Sequence, residues 1–596
     1  MTTLYTGDES DEPAKVAWML MLFNQVRVRR VNFETQWEEA AALCWPEYRN
    51  TFYFGRDNSP GQKMTFYQVD SNAALASHRF GAITHSLMTP ENMRWAKVEA
   101  GGTNAKYLKK DRGVREFFEE LNCCLWDERY KCEANFIGQQ QQNWQGLGVF
   151  GNMGMWVDEL EYEFDPEKRG LRYRAMPVGE CYIVQDHQGQ PVTVIRHMRR
   201  TAQQAKSLWR DSERWPAPLE AALQIGSQQL FNFLHFVRPR TDWSPWEIYT
   251  PRSRRFTSTY LSVEGMCILE EGRGYRVFPM PFGRYMQAPD EDYGRGPAQM
   301  VLPELKTLNA EKADFLKQGH RAGDPAYLVP ETGLIDLKLH GGATTAGGMT
   351  SDGKLLVGVV PTGNIQVSRE MLNDSVAIVK DAFLVNLFQL LLADKDFQMG
   401  PRQVVEYMNE RGIMLAPTVG RQASEYVGPL VYRELDILSF LGRLPKMPPA
   451  LKEARGEYKM VVTSPLARAV QSQEAAGIMR TAEFAGQLVQ MTGDPSIMDA
   501  LEADEMLQVV GEANNSPERV FASPQRLKQK RDARQQSQER DRQVKELPGR
   551  AAMAKAQAIT TKAATGGNTG GTLSGTPQGG MPMMPGQSQP GGRLFG

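Results

Sequence analysis

With 596 residues, 41% of them hydrophobic, the chain has apolar material for about three to five domain-sized units. Its 69 Lys and Arg against 70 Asp and Glu leave a net charge of −1, which argues against a protein that coats nucleic acid by bulk electrostatics. A local or geometric relation to DNA stays open.

Six cysteines (Cys44, Cys123, Cys124, Cys132, Cys181 and Cys267), with no CxxC pair, do not make a disulfide scaffold and read as free thiols in a reducing compartment. The acidic stretch Met1–Pro13 lacks the plan of a secretory signal. The longest apolar stretch, Val376–Ala393, is broken by Lys380, Asp381, Asn386 and Gln389 and is too polar for lipid. A soluble, intracellular, multidomain protein is expected.

Apolar residues at helical spacing predict a first helix over Val16–Leu43, stopped by Pro46. A second is expected over Ser71–Met88, capped by Asp70 or Ser71 and ended by Thr89-Pro90. Arg112–Gln145 reads as one long helix. The period then changes to two, which predicts strands at Met153–Val157, Leu171–Met176, Glu180–Gln185 and Val192–Met198, with a hairpin turn at Asp186–Gly189. After a short helix at Thr201–Leu208, further strands are expected at Leu230–Arg238, Trp246–Thr250, Tyr260–Leu269 and Tyr275–Phe278.

Gly294-Arg295-Gly296-Pro297-Ala298 opens a long helix that runs to about His320, Pro297 suiting its first turn. A glycine-rich segment with short strands, Pro325–Gly363, leads to a second long helix from about Val367 to Ala393, capped by Ser368. Two long helices bracketing a small β-rich unit form a stalk with a cap. Asp394–Gly400 is a loop, Pro401 starts another helix, and helices dominate to about Val510. Pro524–Glu546 is a polar, basic helix candidate, and from Gly566 onward the composition cannot form a core, so a disordered tail is expected.

Chemistry-bearing motifs fail on context. Gly146…Gly148…Gly151 has dinucleotide-fingerprint spacing, but a helix precedes it and a strand follows, the reverse of what that loop requires. It reads instead as a helix-to-strand turn needing positive φ. Gly348-Met-Thr-Ser-Asp-Gly353-Lys354 ends on Leu355, where a phosphate loop needs a hydroxyl for Mg²⁺. The seven histidines are scattered, with no zinc set, and no hydrolase or cysteine-nucleophile signature occurs. No catalytic residue, cofactor or metal is expected. The basic stretch Arg526, Lys528, Lys530, Arg531, Arg534, Arg540, Arg542 and Lys545 fits a solvated helix as well as a DNA-contacting one.

An ordered set of segments from about Val26 to Val520 carries a family likeness. It comprises the helix with Phe33 and Trp37 leading to Pro46, then the Asp70-Ser71 helix ending at Leu87-Met88-Thr89-Pro90 before Trp95. Next come the Gly148…Gly151…Met155-Trp156-Val157 turn and strand, and Arg174…Met176-Pro177…Tyr182 with Gly189. Tyr293-Gly294-Arg295-Gly296-Pro297-Ala298 follows, then Leu302-Pro303-Glu304-Leu305-Lys306-Thr307-Leu308-Asn309, and late in the chain Ser464-Pro465-Leu466-Ala467-Arg468-Ala469. In this set the chain resembles the head-to-tail connecting (portal) proteins of short-tailed bacteriophages. It departs at Met399-Gly400-Pro401-Arg402-Gln403-Val404, where relatives carry a Thr-rich run.

The resemblance implies an α+β portal-type fold in these segments: an α/β wing over 1–295, a first stem helix 296–321, a clip 322–366, a second stem helix 367–393 and a tunnel loop 394–400. C-terminal wing helices and a helical crown would occupy 401–523; beyond the resemblance, composition alone gives a basic helical segment 524–565 and a disordered tail 566–596. It further implies a homo-oligomeric ring, typically of twelve subunits, in the virion at one capsid vertex, assembled in the host cytoplasm. Double-stranded DNA would pass through its channel during packaging and ejection. The implied partners are the major capsid protein, the scaffolding protein, the terminase large subunit, then the tail adaptor, and internal core proteins at the crown, with no membrane insertion. The motor, not this chain, would hydrolyse ATP.

Two sets of site residues follow. Asp394, Lys395, Asp396, Phe397, Gln398, Met399 and Gly400 would face the channel, where Lys395 touches phosphate transiently and the two acids keep the contact weak; the same charges also suit an ordinary solvated helix terminus. Leu302, Leu305, Leu308, Val379, Phe383, Leu387 and Leu391 exceed what one helix hairpin covers and would supply subunit contacts. The competing readings are a tail hub or internal ejection protein, against which the stalk speaks, and a nuclease or nucleotide hydrolase, against which the failed motifs speak.

Overall fold

The computed structural model describes residues 11–385 and 420–492, leaving aside 55–60, 109–110, 161–168, 211, 213, 248–249, 330, 332–336, 362, 454–456 and 464. Beyond 492 it describes 501, 506, 510–511, 526–540, 553 and 555–557. The chain divides into two compact units, Met1–Glu518 and Arg519–Gly596. Within the second, residues 526–540 form a helix, exposed along nearly its whole length.

The first unit is a mixture of helix and sheet. Its spine is α1 (Glu12–Cys44), about 50 Å long at 1.5 Å per residue. The Asp11 carboxylate accepts from the Ala14 N–H, and Pro13 sits in the first turn, where its missing donor costs nothing. The first half of α1 packs Val16, Met19, Phe23 and Val26 on one sheet, and the second half puts Phe33, Trp37 and Ala41 into a neighbouring core. Between the halves Arg30 is fully buried; its guanidinium donates to the carbonyls of Phe52, Val178, Gly179 and Cys181 at 3.0–3.2 Å and pairs with Glu34. A buried guanidinium with every neighbour an acceptor staples α1 to the chain around it.

After α2 (Asn72–Met88) come β1 (Ala96–Ala100), the single turn α3 (Ala105–Leu108), α4 (Arg112–Arg129) and α5 (Phe136–Phe150). The single helix expected over Arg112–Gln145 is thus two. The break lies at Tyr130–Asn135, where Asn135 takes the left-handed conformation (φ 55°), which the long apolar period on either side conceals. At the end of α5, Gly151 has φ 70° and turns the chain into β2 (Asn152–Leu160), as the reading of that glycine required. Gly146 and Gly148 lie inside the helix, and a Cβ at Gly148 would sit 2.5 Å from the Phe80 ring, so its smallness lets α2 lie close on α5.

β2 pairs antiparallel with β3 (Gly170–Ala175) and with a strand near residue 283. The main sheet is an antiparallel meander of β4 (Cys181–Gln185), β5 (Pro191–Thr201), β6 (Leu230–Pro239), β7 (Phe256–Ser262) and β8 (Cys267–Tyr275), in sequence order. The helices α6 (Ala202–Leu208) and α7 (Ala217–Ile225) cover one face and α1 the other. Phe231 and Phe233 point to one layer, Leu234 and Phe236 to the other. Covering both faces explains why β6 reads as a nearly unbroken apolar run. The strand expected over Tyr260–Leu269 is split by the hairpin turn 263–266, with Met266 at φ 44°. No strand covers the described part of Trp246–Thr250, which lies in a loop.

β9 (Phe282–Arg284), the short α8 (Pro297–Met300) and α9 (Leu302–Gly323) follow, then the two-residue strands β10 (Tyr327–Leu328) and β11 (Gly358–Val359), then α10 (Ile365–Ala382). The cap of α10 is Asn364, whose Oδ1 accepts from the Gln366 N–H, not Ser368. Later a helix at Gly428–Phe440 packs Leu430, Val431 and Leu435 into a second core with Trp95, Val98, Leu121 and Trp144, β12 (Tyr458–Val462) pairs with β1, and a long helix spans Pro465–Thr492. β12 is a strand within the stretch where helices were expected to dominate. Its burial does not alternate, Tyr458 and Lys459 being exposed and Met460, Val461 and Val462 half-buried, so no period of two marks it in the sequence.

The returning segment is tied in by buried ion pairs. Arg129 and Glu434, both nearly inaccessible, meet Nε to Oε1 at 3.0 Å, and Tyr173 donates to the same carboxylate at 2.6 Å. Arg284 and Glu425 pair at 2.9 Å. Each charge is compensated, which burial of an ion demands.

Candidate stalk and tip site

The stalk is rooted by close backbone contact. The Asn152 amide donates to the Gly294 carbonyl (3.0 Å) and accepts from its N–H (2.7 Å). A Cβ on Gly151 would lie 2.3 Å from the Gly296 nitrogen, and one on Gly296 2.7 Å from the Gly151 nitrogen. The Gly-Arg-Gly-Pro motif therefore lets the end of α5 and the start of the stalk lie backbone on backbone. Tyr293, just before it, is buried and donates to the Cys181 carbonyl at 3.2 Å.

From that root α9 rises about 33 Å, and α10 packs alongside it. Asn309 fixes the lower part of α9: its Oδ1 accepts from Val69 and Asp70 N–H at 2.8 and 3.1 Å, and its Nδ2 donates to the Tyr67 carbonyl at 3.0 Å. Near the far end the Ser368 hydroxyl donates to Gln318 Oε1 at 2.9 Å and joins the two helices.

Of the residues expected to make subunit contacts, Leu305, Leu308, Val379 and Phe383 are buried within the chain's own core, and Leu302 is half-buried against it. Phe383 meets Phe80 edge-on at 6.2 Å. Leu387 and Leu391, and the whole of Asp394–Gly400 with Asp394, Lys395, Asp396, Phe397, Gln398 and Met399, lie outside the described residues. What the stalk exposes is a different stripe. Val367, Met371 and Ile378 are each about half exposed (49%, 54% and 49%). At 3.6 residues per turn they fall within about 40° of one another, and about 130° round the helix from the inward row of Leu372, Val376, Val379 and Phe383. The spacing of four and seven was present in the sequence, but the longer inward row overshadows it.

The tip lacks a core. Among the described residues of 322–366 none is buried, while Tyr327, Leu328, Val329, Leu339, Met349, Leu355, Leu356, Val359 and Val360 are all exposed. Among the described residues its one sheet is a two-residue ladder, Tyr327 to Val359 and Leu328 to Gly358. A ladder this short does not hold itself together in water. So much uncovered apolar surface marks a region that gains its stability from neighbours.

Elsewhere, the groups that suggest chemistry serve packing. Cys44 and Cys181 are buried, and burial pushes both thiols up to about 12, so neither is a nucleophile at neutral pH. His235 accepts or donates at Nε2 to the Ser258 hydroxyl (2.8 Å) and stacks on Tyr260 at 4.0 Å. Among the described residues no group of three or more His, Cys, Asp or Glu is placed to hold a metal, and no helix is long and apolar enough to cross a membrane.

A body braced by buried ion pairs, carrying a helical stalk with a coreless tip, defines a subunit of a larger assembly. The chain belongs to the family of bacteriophage head to tail connecting proteins, whose family model matches residues 17–521. It is 21% identical over 556 residues to the portal protein of Salmonella phage epsilon15, covering 92% of this chain and 94% of that one. It is 23% identical over 502 residues to a probable portal protein of Bordetella phage BPP-1, covering 82% and 85%. A chain from the virion of a native gene transfer agent particle aligns over 74% of this chain and 90% of its own at 10% identity, with a TM-score of 0.32, a likeness that carries no argument. Members of the family are structural connectors, not enzymes, and this chain is a component of the phage virion.

Proposed function

We propose that the chain forms the portal ring, with 1–295 as wing, 296–321 and 367–393 as stem, 322–366 as clip and 394–400 as tunnel loop. Twelve copies would surround one channel for double-stranded DNA. The observation that carries the reading is the coreless tip on a stalk, in a chain matched by the connector family along most of its length. A tip with nine exposed apolar side chains suits copies packed side by side around an axis, each covering the next. The end of such a ring is then the docking surface for the terminase large subunit and later for the tail adaptor. The wing would meet the major capsid and scaffolding proteins, and the crown internal core proteins. In the tunnel loop, Lys395 flanked by Asp394 and Asp396 would guide DNA without holding it, since affinity climbs steeply with each neutralised phosphate.

Negative-stain microscopy of the purified chain tests the ring directly. Particles with a central hole are expected; a monomer at micromolar concentration would overturn the reading. Replacing Pro325–Gly363 by a short linker is expected to leave the wing folded and to abolish packaging.

A further inference from the structure

Of the chain's 11 tryptophans, nine are buried or half-buried. Trp243 and Trp246, 49% and 88% exposed, are the exceptions, and both lie on the loop 240–255 that joins β6 to β7. An indole left in water forgoes one of the largest burial gains a side chain offers. Two on one loop, with none so exposed elsewhere, point to a partner.

The loop is braced rather than slack. Its ends are closed by the Arg240 N–H on the Arg255 carbonyl (2.8 Å), and its middle by the Ser244 N–H on the Arg252 carbonyl (2.9 Å). The Trp243 indole donates to the Ser253 carbonyl at 3.3 Å, which fixes that ring. Asp242 is taken up by Arg240 and Arg252 at 3.4 and 3.2 Å, and Glu247 accepts from the Thr250 hydroxyl at 3.0 Å. Beside this frame lies an open cleft of ≈ 490 Å³, lined by Trp243, Pro245, Ser253, Arg255 and Arg276. Both arginines are exposed, and among the described residues neither has a carboxylate partner. The cleft thus pairs an apolar wall with two uncompensated cations.

We propose that this cleft docks a short acidic peptide segment of another protein. One carboxylate sits between Arg255 and Arg276, and a neighbouring apolar side chain lies against Trp243 and Pro245, with Trp246 at the rim. Guanidinium groups hold carboxylates by paired, charge-assisted hydrogen bonds, and Trp and Arg are the side chains on which binding energy concentrates. Nucleic acid fits less well. The cleft is compact rather than a track, so it takes a single anionic side chain better than a run of phosphates.

The test pans a random-peptide library on the full-length chain and measures the selected peptides by fluorescence anisotropy. Acid-rich sequences are expected, with Kd raised at least tenfold by Arg255→Glu, Arg276→Glu together and, independently, by Trp246→Ala. Unchanged circular dichroism and Tm show that the variants fold. Selection of sequences with no acidic excess overturns the proposal, as does equal binding by both variants. Tighter, variant-sensitive binding of an oligothymidylate strand also overturns it, in favour of nucleic acid.

Discussion

At the scale of single residues, the buried charges decide how the body tolerates change. Glu434 neutralises Arg129 and accepts from Tyr173 in a site closed to water. Glu434→Ala leaves a guanidinium buried without its counter-ion and is expected to cost about 3–5 kcal/mol, read as a lower urea midpoint. Replacing Arg129 and Glu434 together by Met and Leu is expected to recover most of that loss; equal instability of the double variant would contradict the account. Histidines set a second expectation. Burial lowers His235 to about 3 and His197 to about 4, from an ordinary value near 6.5. The unfolded chain then binds protons that the folded chain refuses, so stability is complete above pH 6.5 and falls as the pH drops from there toward 4. Each site contributes about 1.4 kcal/mol per pH unit inside that window. The difference in Tm between pH 7 and pH 5 should shrink in His197→Gln, His235→Gln, provided the double variant folds, and a slope identical to the unmutated chain would exclude these groups as its source.

At the scale of elements, the stalk separates two kinds of leucine-like position. Leu305→Ala opens a cavity in the chain's own core and is expected to lower the stability of the isolated chain by about 2–5 kcal/mol. Ile378→Asp lies on the exposed stripe and is expected to change chain stability by no more than about 0.5 kcal/mol while removing rings from sedimentation profiles. Rings that survive Ile378→Asp together with Met371→Asp would show that the stripe is not a contact. The two outcomes were not separable from the sequence, where Leu305, Val379 and Ile378 look alike. The α1 and α2 helices, the meander and the stalk were legible because their apolar periods are long and their caps are local. The break at Asn135, the hairpin turn at 263–266 and β12 were not. A single left-handed asparagine interrupts no period, the turn lies inside a run of mixed polarity, and β12 exists only because β1 is there to pair with it. The Trp243–Arg276 cleft was equally hidden, since residues 33 apart in sequence meet there only after β7 and β8 fold.

At the scale of the whole molecule, the proposed tunnel loop and the tail yield opposite expectations. Asp394→Lys with Asp396→Lys would add cations at every subunit of a ring, so rings should form normally while packaging slows, with relief by added salt. A packaging rate and final DNA length equal to the unmutated protein at low salt would remove DNA contact from that loop. Truncation after Thr565 removes a Gly-, Pro- and Gln-rich segment with no core-forming pattern and should leave ring yield unchanged.

The pairing of β1 with β12 has a consequence in time. Ala100 faces Tyr458, and the stalk, the tip and much of the body are synthesised between them. At about 5–20 residues per second a ribosome needs roughly 20–70 s to travel from one strand to the other. Throughout that interval the nascent chain carries an unpaired strand edge and a second core missing the helix Gly428–Phe440, both of which invite aggregation. The body therefore closes only after β12 has been made. A ribosome stalled shortly before residue 458 should leave Trp95 and Val98 open to protease, and release a few residues after 462 should protect them.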